Sequence, residues 1–349
     1  MNTTQAITTS LAIALSSVSS AAVFEELSSQ FNVMIFGNFL GTGGDTEGRH
    51  FTSGNMSVND GSNLYTVADA VVAPDLPYSP GRHDLIVGGN FTGKAYVLTE
   101  SAYVGGSLVN GISTAEIQVY NGSPISGPYY SSGTGTVTTN AGPFDIDLAT
   151  GQAVASGSGA SFDSMLTGLR AESLAFSQLA NTAGTITTND GYGNVSITFN
   201  GVHDIYVYTV SEADWNGQKY RTVNAPADST VIINVEGSDI NLSGTMNIEG
   251  TDLTNVIINY QEATSIAMTS MDHNGALLAV NTTSYQQTAG GVNGAAFIAG
   301  DAEKDGGGEF HNHLFTGDLS AVPEAQSYAL LLSLAAGAFV ATRRKRQQF

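Results

Sequence analysis

The chain has 349 residues, 42% of them hydrophobic and only 12% charged, with 41 Gly, 8 Pro, no Cys and a formal net charge of −20 at pH 7. That is enough apolar material for a core without disulfides, and the many Gly, Asn, Thr, Val and Ile read as short strands joined by tight turns, within one all-β unit. Four of the eleven basic residues (Arg343, Arg344, Lys345 and Arg346) fall in the last seven positions, so residues 23–325 carry seven basic and 31 acidic groups, net −24; such a surface repels phosphate backbones, argues against nucleic-acid binding and can recruit divalent cations such as Ca²⁺.

Residues 7–15 form a short apolar stretch followed by Ser19, Ser20, Ala21 and Ala22. Small residues after an apolar run fit a signal peptide over residues 1–22, cut near Ala21 or Ala22, although no Lys or Arg precedes the run. Next, Gly37-Asn38, Gly54-Asn55, Gly89-Asn90 and the variant Gly106-Ser107 recur, with equal first and last intervals and a middle one about twice as long. The shorter interval, about 17 residues, fits one coil of a parallel β-helix, and the middle interval is close to two such periods. Gly allows the corners, and stacked Asn side chains can form a hydrogen-bonded ladder.

Asp45, Glu47 and Arg49 gather two carboxylates and a guanidinium in one short segment. A cation or sugar site is one reading; a structured turn with an Arg49 ion pair is the preferred one. Residues 121–160 are rich in Gly, Ser and Thr, yet Phe144, Ile146 and Leu148 alternate inside them. From about Ser161 to Leu179, the residues Phe162, Met165, Leu166, Leu169, Phe176 and Leu179 follow helical spacing. That stripe predicts one helix packed along a face of the strands.

Val195, Ile197 and Phe199 alternate with Ser196, Thr198 and Asn200, as on a half-buried strand. Tyr206, Tyr208, Trp215 and Tyr220 cluster in sequence; exposed, they would offer a sugar-stacking platform, but packing is the expected role. Val231-Ile-Ile-Asn-Val235 and Val256-Ile-Ile-Asn-Tyr260 are near copies, and Gly275 to Val280 is related in the same way to Gly294 to Ala299. Both intervals are of coil length. They favour a right-handed parallel β-helix of irregular coils with one flanking α-helix over a β-sandwich. Glu309, His311 and His313 alternate and would share a face of a strand; they are weak metal candidates, since a site needs three or four ligands in fixed geometry.

The tail, residues 321–349, carries Pro323 and Glu324, an apolar run over 328–342 and the basic end 343–346. As a helix that run spans roughly 22 Å, short of a ~30 Å hydrocarbon core, and the basic end marks a cytoplasmic side. The order Pro-Glu, apolar helix, basic cluster resembles the PEP-CTERM sorting signal, with Ala325 where a second proline is usual. That resemblance implies an exosortase-type protease as partner and a transient inner-membrane anchor; a permanent tail anchor or a core helix at the domain end is the other reading of the same run.

Between the ends, Phe31 to Asn38, Asp45 to Arg49, Leu85 to Asn90, the mid-chain helix, and Gly308-Glu-Phe-His-Asn-His-Leu-Phe-Thr-Gly317 resemble the choice-of-anchor A domain over about residues 28–318. The resemblance implies a β-helical, secreted or surface-displayed domain over residues 23–320, with an adhesive role and no catalytic residues to carry over. The chain shows no nucleophile elbow, phosphate loop or zinc-protease motif. The expected function is therefore a non-catalytic adhesin contacting exopolysaccharide or another surface, with no required cofactor. Two alternatives stand beside it. A polysaccharide-lyase-like enzyme would draw on Arg49 or Arg221, and an ice- or mineral-binding face would need regular Thr rows, of which only the isolated pairs Thr136/Thr138 and Thr185/Thr187 are visible.

Overall fold

The structure is a computed structural model and describes residues 21–58, 65–67, 83–93, 95–97, 101–109, 137–138 and 141–322. Nearly every strand pairs in parallel with the strand one coil away, which defines a β-helix of three faces. One face, covered by helices, orders its strands as 137–138, 101–104, 83–87, 50–52, 33–35, 296–298, 276–279, 256–259, 230–235 and 205–210. The first strand of the domain thus lies mid-sheet, pairing Met34 with Phe51 on one side and with Phe297 on the other. The chain starts at the centre, winds out to one end, restarts at the far end and winds back until its last coils close on its first.

The repeats seen in the sequence are the coils. Val231 to Asn234 pair residue for residue with Val256 to Asn259. Leu277 pairs with Ala296, so each of these two repeat steps is one turn of the coil. The long step from Gly54 to Gly89, expected to hold two periods, holds one: His50 pairs directly with Leu85. The added length of this coil leaves the stacking register of its strands undisturbed.

Coils are bent at corners by residues with left-handed backbone. Strand 239–249 turns a corner at Gly244 (φ 82°), and the adjoining strand 265–274 turns at Ser270 (φ 49°). The register between them shifts at that point. A Cβ on Gly244 would lie 2.0 Å from the Lys219 carbonyl oxygen, so coil contact as well as φ demands glycine there.

Two hydrophobic cores result. One fills the inside of the coil, where Val33, Ile35, Leu85, Val231, Ile233, Val256, Ile258 and Leu277 stack. The other lies outside the covered face, where Met34, Phe51, Ile86, Ile232, Ile257 and Phe297 meet two helices. Helix α1 spans Ala21–Ser28 and was not expected from the sequence; α2 spans Phe162–Ser177, with Ser161 capping it by accepting from Ser164 N. Met165, Leu169 and Phe176 are buried on the strands, each worth about 1.5–3 kcal/mol of apolar burial. The repeated asparagines fix where α2 sits. Asn259 Nδ2 donates to Ser173 O and Asn234 Oδ1, both at 2.8 Å, and Asn234 Nδ2 donates to Phe176 O at 2.8 Å. Within 141–160, strands 144–147 and 152–155 form an antiparallel hairpin that buries Phe144 and Ile146.

Candidate ligand-contact face

The corner next to the covered face is built by the Gly-Asn repeat. Gly54 N donates to Gly37 O, Gly89 N to Gly54 O, and Gly106 N to Gly89 O, at 2.8–3.0 Å. Beside this backbone stack runs a side-chain ladder. Asn55 N donates to Asn38 Oδ1, Asn90 N to Asn55 Oδ1, and Ser107 N to Asn90 Oδ1, each at 2.9 Å. At the seam between first and last coils, Asn38 N donates to Asp301 Oδ1 at 2.8 Å. The ladder therefore ends on a carboxylate.

From that corner extends a face that no helix covers. Its strands present side chains alternately inward and outward. Phe39, Ala302 and Tyr285 point into the core. The outward residues fall in register, forming the row Thr92, Ser57, Leu40, Glu303, Gln286, Ala267 and Asn241. A second row holds Asp301, Ser284, Ser265 and Asp239, and a third holds Asp305, Thr288, Thr269 and Ser243. Neighbours within a row lie one strand spacing apart, about 4.8 Å. At the seam, a shallow depression of about 560 Å³ is lined by Asn38, Leu40, Asn55, Ser57, Gln286 and Glu303 among others. Leu40 is 43% exposed there, an apolar spot ringed by amides, a hydroxyl and carboxylates.

The third face brings together two groups from opposite ends of the domain. Thr46 pairs with Phe310. His311 Nδ1 lies 2.8 Å from Glu47 Oε1, Asn312 N donates to Glu47 Oε2 at 2.9 Å, and His311 Nε2 lies 3.5 Å from Glu309 Oε2. Behind them, the buried Lys304 Nζ donates to the backbone oxygens of Asp45 (2.9 Å) and Gly308 (2.6 Å). Burial, with Glu309 adding to it, pushes the Asp45 carboxyl up to about 6; burial pulls the Lys304 ammonium down to about 7. Among the described residues no group of three or more His, Asp or Glu side chains is arranged to hold a metal ion. Neither Arg49 nor His313 joins this cluster.

Arg49 lies inside, 2% exposed, with Nε 3.7 Å from Asp84. Its guanidinium donates to the backbone oxygens of His83 and Gly151, and sits over the Phe31 ring. Arg221 is buried too, donating to Trp215 O and Ser243 O. Arg49, Arg221 and Lys304 are three of the seven basic groups between the ends, and the buried acids Asp84, Asp145 and Glu172 match them in number, so the outer surface keeps the acidic excess of the composition. Tyr206 and Trp215 are core residues, and Tyr220 alone of that aromatic cluster is exposed.

Two buried histidines face the interior. His50 Nε2 meets Thr52 Oγ1 at 2.9 Å, and His273 Nε2 meets Tyr260 Oη at 3.2 Å. Burial, with nearby cationic groups, pushes both down to about 3. Each stays neutral in the fold while it would bind a proton in the unfolded chain below pH 6.5, so stability rises with pH between about 3 and 6.5 and is complete above that window. Between pH 7.5 and 5.0, the wild type is expected to lose about 2 kcal/mol more than His50→Gln. Urea denaturation of both proteins at the two pH values measures this, and parallel losses would refute it.

Residues 24–312 match the family described as "Putative Ice-binding-like adhesive domain". The chain belongs to this family. It is an adhesive domain of the ice-binding-like type, on the β-helix described above. Among solved structures it resembles an ice binding protein from an Antarctic biological consortium, with 12% identity, a TM-score of 0.36, and coverage of 82% of this chain and 89% of that one. No curated protein matches. Adhesive function places the domain at a surface or outside the cell. Among the described residues no helix is long and apolar enough to cross a membrane, and the sorting residues Pro323, Glu324 and Arg343 to Arg346 lie outside them.

Two features escaped sequence reasoning. Leu40, the apolar spot on the open face, carries no motif. Glu172, buried against α1, falls at helical spacing between Leu169 and Phe176, on the apolar stripe itself. A carboxylate at that position was the available signal of a buried charge.

Proposed function

We propose that this chain is an exported, non-catalytic adhesin whose open face contacts hydroxyl-rich extracellular polysaccharide at the seam depression. The observation that carries this reading is the composition of the depression: the exposed Leu40 within reach of the Asn38 and Asn55 amides, Ser57, Gln286 and Glu303. Sugar rings have apolar faces and polar edges, and such a mixture suits both. In this reading residues 1–22 are a cleaved leader, and residues 321–349 are a PEP-CTERM-type tail acted on by an exosortase in the inner membrane. The choice-of-anchor A resemblance points the same way.

Binding is tested by retention on immobilised acidic and neutral polysaccharides. Leu40→Glu combined with Gln286→Ala is expected to weaken retention at least about ten-fold, a loss of ~1.4 kcal/mol, with an unchanged melting temperature. Wild-type protein that no polysaccharide retains would defeat the reading. Intact mass of the protein from cells and from medium tests the tail: extracellular protein lacking the residues beyond about 324 supports sorting, and full-length protein confined to membranes opposes it.

Ice contact through the same face is a second reading, favoured by the paired Thr269 and Thr288 and by the family's description. The acids Asp239, Asp301, Glu303 and Asp305 interrupt any Thr array on that face. Thermal hysteresis together with inhibition of ice recrystallisation at micromolar protein would favour ice over glycan.

A further inference from the structure

Helix α1 docks on α2 at one point of close approach. A Cβ on Gly168 would lie 3.0 Å from Val23 Cγ2, so the missing side chain there makes room for Val23. One turn further along α2, Glu172 is 3% exposed. Its two oxygens accept from Val23 N at 3.1 Å and Phe24 N at 2.8 Å. Among the described residues no Lys, Arg or His pairs with it. Arg170, two positions earlier, points elsewhere and donates to Val280 O. The charged neighbours that face Glu172 from α1, Glu25 and Glu26, are themselves acidic, and burial is the larger influence pushing its carboxyl up to about 8. A buried carboxylate without a counter-charge is costly, and this one is aimed at the backbone nitrogen of Val23.

We propose that leader cleavage falls between Ala22 and Val23, and that the α-ammonium it creates forms a buried ion pair with Glu172. The inference rests on the export reading above. Small residues at Ser19, Ser20, Ala21 and Ala22 permit cleavage after either alanine; the position of Glu172 selects one. Hydrolysis of the Ala22–Val23 amide consumes one water. The leader departs with a new carboxylate at Ala22, and Val23 N becomes an amine that takes up a proton. The atom that was a neutral hydrogen-bond donor becomes a cation at the same place, 3.1 Å from Glu172 Oε1. Removal of the leader then supplies the missing counter-charge and locks α1 onto α2. The precursor, with a neutral amide there, holds α1 less firmly.

The full gene expressed in an exporting Gram-negative host provides the first test, by intact mass of the recovered protein. A chain beginning at Val23 is expected. One beginning at Ala22 or elsewhere overturns the cleavage assignment, and a retained leader overturns the export reading with it. Processed protein and full-length cytoplasmic precursor are then compared by urea denaturation, each with and without Glu172→Gln. The substitution is expected to lower the unfolding free energy of the processed chain more, corresponding to at least about ten-fold in the equilibrium constant. Equal effects in the two backgrounds overturn the ion pair and leave export standing. Should Glu172→Gln fail to fold, the wild-type amine answers the question. Its acylation at neutral pH is expected to be at least about ten-fold slower in folded than in urea-unfolded protein, and equal rates overturn the proposal.

Discussion

Arg49→Met is expected to destabilise the domain by about 3–5 kcal/mol, the cost of breaking a buried ion pair from one side. The guanidinium reaches three separate stretches of chain: its Nη atoms donate to Gln30 O, His83 O and Gly151 O, and Nε faces Asp84. Asp84 is fully buried, so removing the cation takes a charge partner from an anion in the core. Combining Arg49→Met with Asp84→Asn is expected to cost less than the sum of the two single changes, since the two charges are partners in one buried pair. Equilibrium unfolding in urea measures both. The result also separates this residue from recognition: folded Arg49→Met is expected to keep full polysaccharide retention, and a selective loss of retention without loss of stability would return Arg49 to the ligand site.

Gly37→Ala is the second large effect, at about 3 kcal/mol. Gly37 lies at the seam where the first coil stacks on the last, and an added Cβ would lie 2.5 Å from the Gly300 carbonyl carbon and oxygen. Neither backbone can retreat, because Asn38 N and Nδ2 both donate to Asp301 Oδ1 just beyond. Opening the seam parts the two halves of the β-helix and widens the depression beside Leu40. Gly307→Ala is the control: nothing lies within 4 Å of its added Cβ, and a change within about 0.5 kcal/mol is expected. Equal effects from the two substitutions would show that coil stacking at the seam does not limit stability.

The sequence by itself determined the coil. The Gly-Asn pairs predicted stacked corners, and Gly37, Gly54, Gly89 and Gly106 do stack, the last three donating in turn to the carbonyl of the glycine before. The near copies beginning at Val231 and Val256 predicted adjacent coils and pair in register. The stripe from Phe162 predicted the covering helix. These features were legible because each coil must present the same residue types at the same corner and face, which writes the period into the chain.

The order of coils along the axis and the identity of buried charges were decided by tertiary structure. No local pattern tells that the strand at 33–35 stacks on the one at 296–298, since a parallel pairing of this kind joins the first coil of the domain to one of its last. Asp45 and Glu47 near Glu309 and His311, Leu40 beside Gln286, and Glu172 against Val23 all follow from that closure and from helix docking. Off an apolar stripe, charge in a sequence carries no label of burial: the fold alone encloses Arg49, Arg221 and Lys304 with carbonyls and aromatic rings. Periodicity is a local property of the chain, whereas desolvation and long-range contact arise only when the coils close.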